Sequence, residues 1–408
     1  MSFIQELFAN RIGGNQFGKD TKIYKFQKIK NAKDDALKAN PGVEILDFGI
    51  GEPDEIACEV IRERLKVEVD KPENRFYADN GIQEYKDAAS KYLKNLYGID
   101  IDPQTEIVHG IGSKPILAML PLVFINPGDI SILTVPGYPV LGTHTNYLGG
   151  EVFNVKLEKK NGFLPVLEDI PTDIAKKAKL FYINYPNNPT GAGADKKFFQ
   201  KMVEFAKKYD ILVVHDAAYS ALSYNDKPLS FLSIPGAKEV AVEIHSMSKA
   251  FNMTGWRLAF ICGNALAVKG YATVKDNYDS GQFRAIQKAS IAGLEKYELT
   301  EQIKNKYVRR LKKMVSVLKA KGFDASVPDG TFYLYVEIPK GTKGGMKFGN
   351  AEEFSQFLIK EKLISTVPWD DAGHFFRMSA TFVAQDEADE ERVLKEFESR
   401  LSDMEFVF

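Results

Sequence analysis

The sequence predicts an α/β protein: a large domain whose mostly parallel central sheet is flanked by helices, with a smaller α+β domain beside it. Three observations lead there. Runs such as Leu180-Phe181-Tyr182-Ile183 and Ile211-Leu212-Val213-Val214 are apolar on both faces, as strands of a covered parallel sheet are. These runs alternate with stretches of helical period through the middle of the chain. After about Gly322 the order changes to strand, helix, strand, which suits a separate unit. The expected division is 1–50 for an N-terminal arm and part of the small domain, 51–295 for the large domain and 296–408 for the small C-terminal domain.

Composition narrows the function class. A chain of 408 residues can bury a large core. Lys+Arg 54 against Asp+Glu 55 leaves a net charge of -1, which offers no field for nucleic acid or an anionic membrane. Cys58 and Cys262 are far apart, so neither a disulfide framework nor a metal site is expected. Glu6 and Arg11 interrupt the first apolar pieces, which fits neither a secretory signal nor a transit peptide, and no run is long enough to span a bilayer. A cytoplasmic protein working on small molecules is expected.

Residues 1 to about 40 are polar, broken by Gly13-Gly14, with Phe17, Tyr24 and Phe26 as anchors. They read as an arm lying across another surface or as a frayed terminus. A short strand, 44–48, runs into the turn Gly49-Ile50-Gly51-Glu52-Pro53-Asp54, and helices are expected over 55–69 and 83–97. Tyr77 lies in the connection between them. Strand 105–109, the turn Gly110-Ile111-Gly112-Ser113-Lys114 and a helix over 115–124 make a helix N-terminus able to hold an anion. Strand 130–135 ends at Pro136-Gly137-Tyr138-Pro139, where the tyrosine is either a stacking surface for an aromatic ring or ordinary turn packing.

A hairpin-like region around Asn161-Gly162 precedes strand 180–183, which leads into the stiff loop Asn187-Asn188-Pro189-Thr190-Gly191. Helix 196–208 and a wholly apolar strand follow, and Asp216 at the strand's exit is either a helix cap or a partner for a ring nitrogen. Strand 239–245, read as alternating apolar and polar, delivers Ser246-Met247-Ser248-Lys249, with Arg257 close behind. A lysine amine becomes a nucleophile toward an aldehyde when a cationic or apolar neighbourhood removes its proton, and Arg257 is such a neighbour. Two serines and an arginine suit a phosphate. Together they suggest pyridoxal phosphate held as a Schiff base; the alternative is an exposed serine-rich loop.

Strand 260–262, the polar stretch 276–284 and a helix over 300–320 come next, the helix's repeated Lys and Arg reading as a solvated face. Glu243 and the lysines of that helix are expected to be bystanders. The small domain then takes strand 332–338, helix 352–361 and strand 364–367. Arg377 on a later strand reads as a bidentate carboxylate clamp or as a surface residue.

Ser113, Tyr138, Asn188, Asp216 and Lys249 each follow an expected strand, and ligands of open parallel sheets bind beyond the carboxyl ends of strands. At this point the chain resembles the fold type I, class I/II pyridoxal-phosphate aminotransferases along nearly its whole length. The motifs that carry the resemblance are Asn187-Asn188-Pro189-Thr190-Gly191, then Asp216 and Tyr219, then Ser246-x-Ser248-Lys249 and Arg257, then Arg377. The resemblance implies that the large domain binds pyridoxal 5'-phosphate. Lys249 would bond to the cofactor and move a proton, Asp216 would pair with the ring nitrogen, and Asn188 and Tyr219 would contact the ring's phenolic oxygen. Tyr138 would stack on the ring, and Ser113, Lys114, Ser246, Ser248 and Arg257 would hold the phosphate. Tyr77 would reach a neighbouring subunit's phosphate, which implies a homodimer with shared sites. Arg377, with Gly51 close by, would clamp the substrate's α-carboxylate.

More narrowly, the chain is similar to the LL-diaminopimelate aminotransferases, a branch of that family, through Tyr24-x-Phe26, Lys71-Pro72-Glu73-Asn74-Arg75, Gly112-Ser113-Lys114-Pro115 and Val367-Pro368-Trp369-Asp370-Asp371-Ala372-Gly373. That resemblance implies an amino acid and a 2-oxo acid as substrates: LL-diaminopimelate and 2-oxoglutarate, giving tetrahydrodipicolinate and glutamate on the route to lysine. It also implies substrate contacts from Tyr24, Gly51, Lys114, Tyr138, Asn188 and Arg377. Gly51-Glu52-Pro53-Asp54 departs from the plant-type Gly-Asp-Thr-Thr, and Ser280 falls where that branch has asparagine. Asp370, Asp371 or Glu52 is a candidate for the distal ammonium, and Tyr24 or Lys114 for the distal carboxylate; a capped turn is the alternative for the aspartates. Competing readings are an aspartate or broad-specificity aminotransferase, a C–S lyase on the same scaffold, and a cofactor-binding regulator, for which no DNA-binding segment is evident.

Overall fold

The computed structural model describes residues 3–19, 25–224 and 228–408. Tyr24 lies outside them. A two-residue strand, Leu46–Asp47 (β1), precedes the large sheet. That sheet comprises Ile107–Gly110 (β2), Ile130–Val135 (β3), Glu151–Lys156 (β4), Ala178–Asn184 (β5), Leu212–Asp216 (β6), Ala241–Ser246 (β7) and Ala259–Gly263 (β8). Among the described residues its order is β2-β8-β7-β6-β5-β3-β4. Strand β8 runs antiparallel to β2 and β7, and the other pairs are parallel. From β3 the chain steps outward to β4 and then back across to β5, β6 and β7. This reversal opens a crevice beyond the strands' carboxyl ends.

Burial on both faces explains the apolar strands. Tyr182, Val214 and Ile244 pack under the helices Ser113–Phe124 and Ala265–Lys275. Phe181, Ile183 and Val213 pack under Gln83–Tyr97 and Lys196–Tyr209 on the other face. The second of these helices starts where Asp195 accepts from the Phe198 amide at 2.7 Å, satisfying a first-turn donor.

A further core gathers Leu46 and Phe48 with Tyr307, Leu311, Phe354, Phe376 and Phe397. Around it lie the long helix Leu299–Ala320, the helices Ala351–Lys362 and Glu387–Arg400, and the strands Tyr333–Glu337 (β9), Gly341–Thr342 (β10), Ile364–Ser365 (β11), Val367–Trp369 (β12), Phe375–Ser379 (β13) and Phe406–Val407 (β14). Strand β1 pairs parallel with β11, so the segment before Gly49 is sewn to the C-terminal part of the chain. Strands β12, β13 and β9 form an antiparallel sheet that carries Arg377 at its centre.

Several sequence expectations need correction. The N-terminal arm contains a 15-residue helix, Lys25–Ala39, whose Ile29, Ala32 and Ala36 bury against Ile359, Leu363 and Val367. Among the described residues two of its three buried contacts are alanines, so its apolar stripe is faint in sequence. The next helix starts at Glu59, after the Pro53 turn. The region near Asn161 holds a short 3-10 turn, Lys159–Asn161, and the strand before it, β4, was missed because it is an edge strand with charged, largely exposed positions. Glu243 is fully buried, since β7 is covered on both faces. Lys306 and Arg310 of the long helix are buried too: both bind Asp54, at 2.6 and 3.0 Å, and Arg310 also binds Glu390 at 2.9 Å. Among the described residues, no helix is long and apolar enough to cross a membrane.

Candidate active site

The strand ends and the C-terminal sheet enclose a cavity of about 320 Å³ lined by Gly51, Ser113, Lys114, Tyr138, Asn188, Asp216, Tyr219, Ser246, Ser248, Lys249, Arg257 and Arg377. These are twelve of the fourteen site residues expected from sequence; Tyr24 lies outside the described residues, and Tyr77 is the other exception. Tyr77 does not line it; its side chain is 78% exposed, and its backbone carbonyl accepts from Arg284.

Lys249 sits in the short helix Met247–Ala250 directly after β7, whose first turn is capped by Ser246 Oγ accepting from the Ser248 amide at 3.2 Å. Its Nζ donates to the Gly51 carbonyl at 3.1 Å. Burial lowers the lysine's proton affinity, the charge of Glu52 opposes this, and Arg257 and Arg377 add to it, bringing the group down to about 8. A neutral amine is therefore accessible near neutral pH.

Asp216 closes β6. Its carboxylate accepts from the Ala218 amide at 3.2 Å and from the Tyr182 hydroxyl at 3.3 Å. Burial raises its proton affinity, while the Ala218 amide, His215, Tyr182 and His245 oppose the rise. Asn184 fixes the neighbouring loop: its Nδ2 donates to the Asp216 carbonyl at 2.7 Å, and its Oδ1 accepts from the Asn188 amide at 2.8 Å.

The opposite end of the cavity is cationic. Gly112 adopts φ +85, and a Cβ there would lie 2.2 Å from Arg257 Nη2. The guanidinium thus rests against the turn that opens the helix Ser113–Phe124, whose N-terminus has no side-chain cap. Arg257 Nη1 donates to the Thr254 carbonyl at 2.7 Å. Free first-turn amides, a helix dipole and a guanidinium converge on one spot, an arrangement that suits a phosphate dianion.

Arg377 is 6% exposed on β13. Nη1 donates to Asn188 Oδ1 at 3.0 Å, and the guanidinium lies 4.1 Å above the Tyr333 ring. Among the described residues its buried Nε has no partner and Nη2 makes only a long bond to the Gly49 carbonyl, 3.4 Å, so this edge of the guanidinium can turn to a carboxylate. Tyr333, missed from sequence, ties the site together: its hydroxyl donates to the Gly51 carbonyl at 3.2 Å and lies 3.1 Å from the Tyr219 hydroxyl. Its only sequence signal was a place on an apolar strand. Thr254 and Asn184 were also missed.

Asp370 does not line the cavity. It accepts from the Ala351 amide at 2.8 Å and pairs with His374 at 2.7 Å, so the capped-turn alternative holds for this residue. Asp371 is likewise outside the lining.

An aldehyde-bearing phosphate with a basic ring nitrogen fits these residues: a depressed lysine, a buried carboxylate and an anion cradle stand at separate corners of one cavity. The family model described as aminotransferase class I and II matches residues 43–391. An LL-diaminopimelate aminotransferase of Methanocaldococcus jannaschii is 58% identical over 100% of this chain and 99% of its own. One from Aquifex aeolicus is 40% identical over 88% of this chain and 92% of its own. Among solved structures, substrate-bound BacF from Bacillus subtilis superposes with a TM-score of 0.87 at 30% identity, covering 99% of both chains.

Proposed function

The chain belongs to the class I and II aminotransferases, and on that premise we propose that it transfers an amino group from LL-diaminopimelate to 2-oxoglutarate, giving tetrahydrodipicolinate and glutamate, with pyridoxal 5'-phosphate as cofactor. The full-length 58% identity to a relative of that name carries the substrate assignment. The cavity supports the chemistry.

When bound, pyridoxal phosphate supplies an aldehyde to receive the amino group and a protonated ring that draws electron density from the substrate's Cα. Everything else falls to the protein. Lys249, partly neutral because of its burial, provides the amine that holds the cofactor and, when displaced, the base that takes the Cα proton and returns it. Asp216 accepts from the ring nitrogen. Ser113, Lys114, Ser246, Ser248 and Arg257 would hold the phosphate, Tyr138 would cover the ring face, and Asn188 and Tyr219 would contact its phenolic oxygen. Arg377 binds the α-carboxylate through the donors left free beside Asn188. Lys114, in the lining, is assigned to the distal carboxylate, and Glu52, outside the lining but near enough for its charge to act on Lys249, to the distal ammonium, with Gly51 leaving room beside Arg377. A homodimer, with Tyr77 completing the partner's phosphate site, and a cytoplasmic setting belong to the same proposal.

The test is product formation. Purified protein loaded with pyridoxal phosphate should make glutamate from 2-oxoglutarate with LL-diaminopimelate as donor; glutamate formation with aspartate alone would point to the aspartate aminotransferase reading, and pyruvate release from cystathionine to the lyase.

A further inference from the structure

On the sheet face opposite Asp216, three adjoining positions of β6 and β7 build a buried charge cluster that the proposed mechanism does not use. Glu243, paired across the sheet with His215, is fully buried. Four donors converge on its carboxylate. Oε2 accepts from His215 Nδ1 and from the Phe231 amide, both at 2.8 Å, and Oε1 accepts from His245 Nε2 at 2.6 Å and from Ser230 Oγ at 2.8 Å. A carboxylate so surrounded is held as the anion: burial alone would raise its proton affinity, but hydrogen bonds and charge from His215 and His245 bring it far below the usual carboxylate range.

The other side of His215 decides its state. Its Nε2 faces the Tyr185 carbonyl at 3.0 Å, an oxygen that can only accept. An anionic acceptor stands at Nδ1 and a carbonyl at Nε2, so both ring nitrogens face oxygens able to accept a hydrogen bond. The ring is shut in by Phe199 and Phe231, at centroid distances of 5.3 and 6.2 Å. His245 needs only one ring hydrogen for its bond to Glu243, and it stacks on Phe260.

We propose that His215, with an acceptor at each ring nitrogen and anchored by Glu243, is a positioning residue whose imidazolium keeps its neighbour Asp216 ionised, so that the proton of the Asp216–cofactor pair stays on the cofactor's ring nitrogen. Asp216 needs such help. It is buried, its two hydrogen bonds are long, and without a nearby cation a buried carboxylate tends to take the proton itself. The cation sits behind the sheet, where it can act on Asp216 without competing for the cofactor. This rests on the cofactor reading above.

Two nitrogen NMR measurements test it. In cofactor-free wild-type protein with isotope-labelled histidine, the signals lost in His215→Asn should have the imidazolium pattern, with both nitrogens protonated at neutral and mildly alkaline pH. A neutral tautomer there overturns the proposal; should His215→Asn not fold, His215→Gln provides the same assignment. In protein loaded with ring-labelled pyridoxal phosphate, the wild type should show a pyridinium nitrogen. His215→Asn and Glu243→Gln should both move that signal toward neutral pyridine, a change in proton partition of roughly tenfold for each pKa unit of difference. The control His144→Asn should leave it in place. An unmoved pyridinium signal in His215→Asn overturns this proposal alone; wild-type protein that takes up no pyridoxal phosphate overturns the cofactor reading, and with it the role given to His215.

Discussion

Arg377 Nη1 lies 3.0 Å from Asn188 Oδ1, a contact that joins β13 of the C-terminal sheet to the stiff loop after β5 of the large sheet. The arginine is aimed from one core into a cavity floored by the other. Its hold on a substrate carboxylate depends on both.

Arg377→Ala should therefore damage substrate binding far more than cofactor binding. Truncating one member of a buried, hydrogen-bonded charge pair costs about 2–5 kcal/mol, so kcat/KM for the amino acid should fall by at least about thirtyfold. Equilibrium dialysis should find pyridoxal phosphate still bound. A fall confined to cofactor affinity would move Arg377 out of the substrate role.

The depressed proton affinity of Lys249 gives a pH dependence with a definite sign. Only the neutral amine attacks the cofactor's aldehyde, so below about 8 the rate of pyridoxal phosphate uptake by apoprotein should climb with pH and level off above it. Stopped-flow absorbance from pH 6 to 10 reads this directly, with roughly a tenfold rise per unit on the acid limb. A rate that keeps rising to pH 10 would place the lysine in an ordinary aqueous environment.

Gly112→Ala tests the phosphate cradle. The new Cβ would push the Arg257 guanidinium away from the first turn of the helix Ser113–Phe124, and the positive φ adds about 1–3 kcal/mol of strain. Cofactor affinity should drop sharply, and inorganic phosphate should lose its ability to compete with the cofactor. Circular dichroism should show the secondary structure retained.

Much of this was legible in the sequence because Ser113, Tyr138, Asn188, Asp216 and Lys249 each follow an apolar run, and the carboxyl ends of such runs share one edge of a parallel sheet. What was not legible depended on partners far away in the chain. Tyr333 carries no local mark, and its role appears only when Gly51 and Tyr219 come within reach of its hydroxyl. Glu243 is expected from sequence to be a bystander on a strand of alternating polarity, and nothing local shows that His215, His245 and Ser230 satisfy it inside the core. Arg310 and Lys306 disappear among the charges of the long helix until Asp54 is set against them.

That last network should matter for stability. Arg310 is 1% exposed and binds Asp54, Glu390 and the carbonyls of Ala380 and Phe382. Arg310→Ala leaves two buried carboxylates short of a partner and should cost about 3–5 kcal/mol, read from the urea midpoint. Lys312→Ala, on the exposed side of the same helix, should change neither stability nor turnover by a measurable amount.

The most direct test of the central claim is the absorption spectrum of the cofactor-loaded protein on adding LL-diaminopimelate, and separately aspartate, with no 2-oxo acid present. The cavity built around Lys249, Asp216 and Arg377 predicts that the yellow absorbance bleaches with an amino-acid donor, and the 58% identity to an LL-diaminopimelate aminotransferase predicts that it does so with LL-diaminopimelate and persists with aspartate. Bleaching with aspartate alone, or with neither, would contradict it.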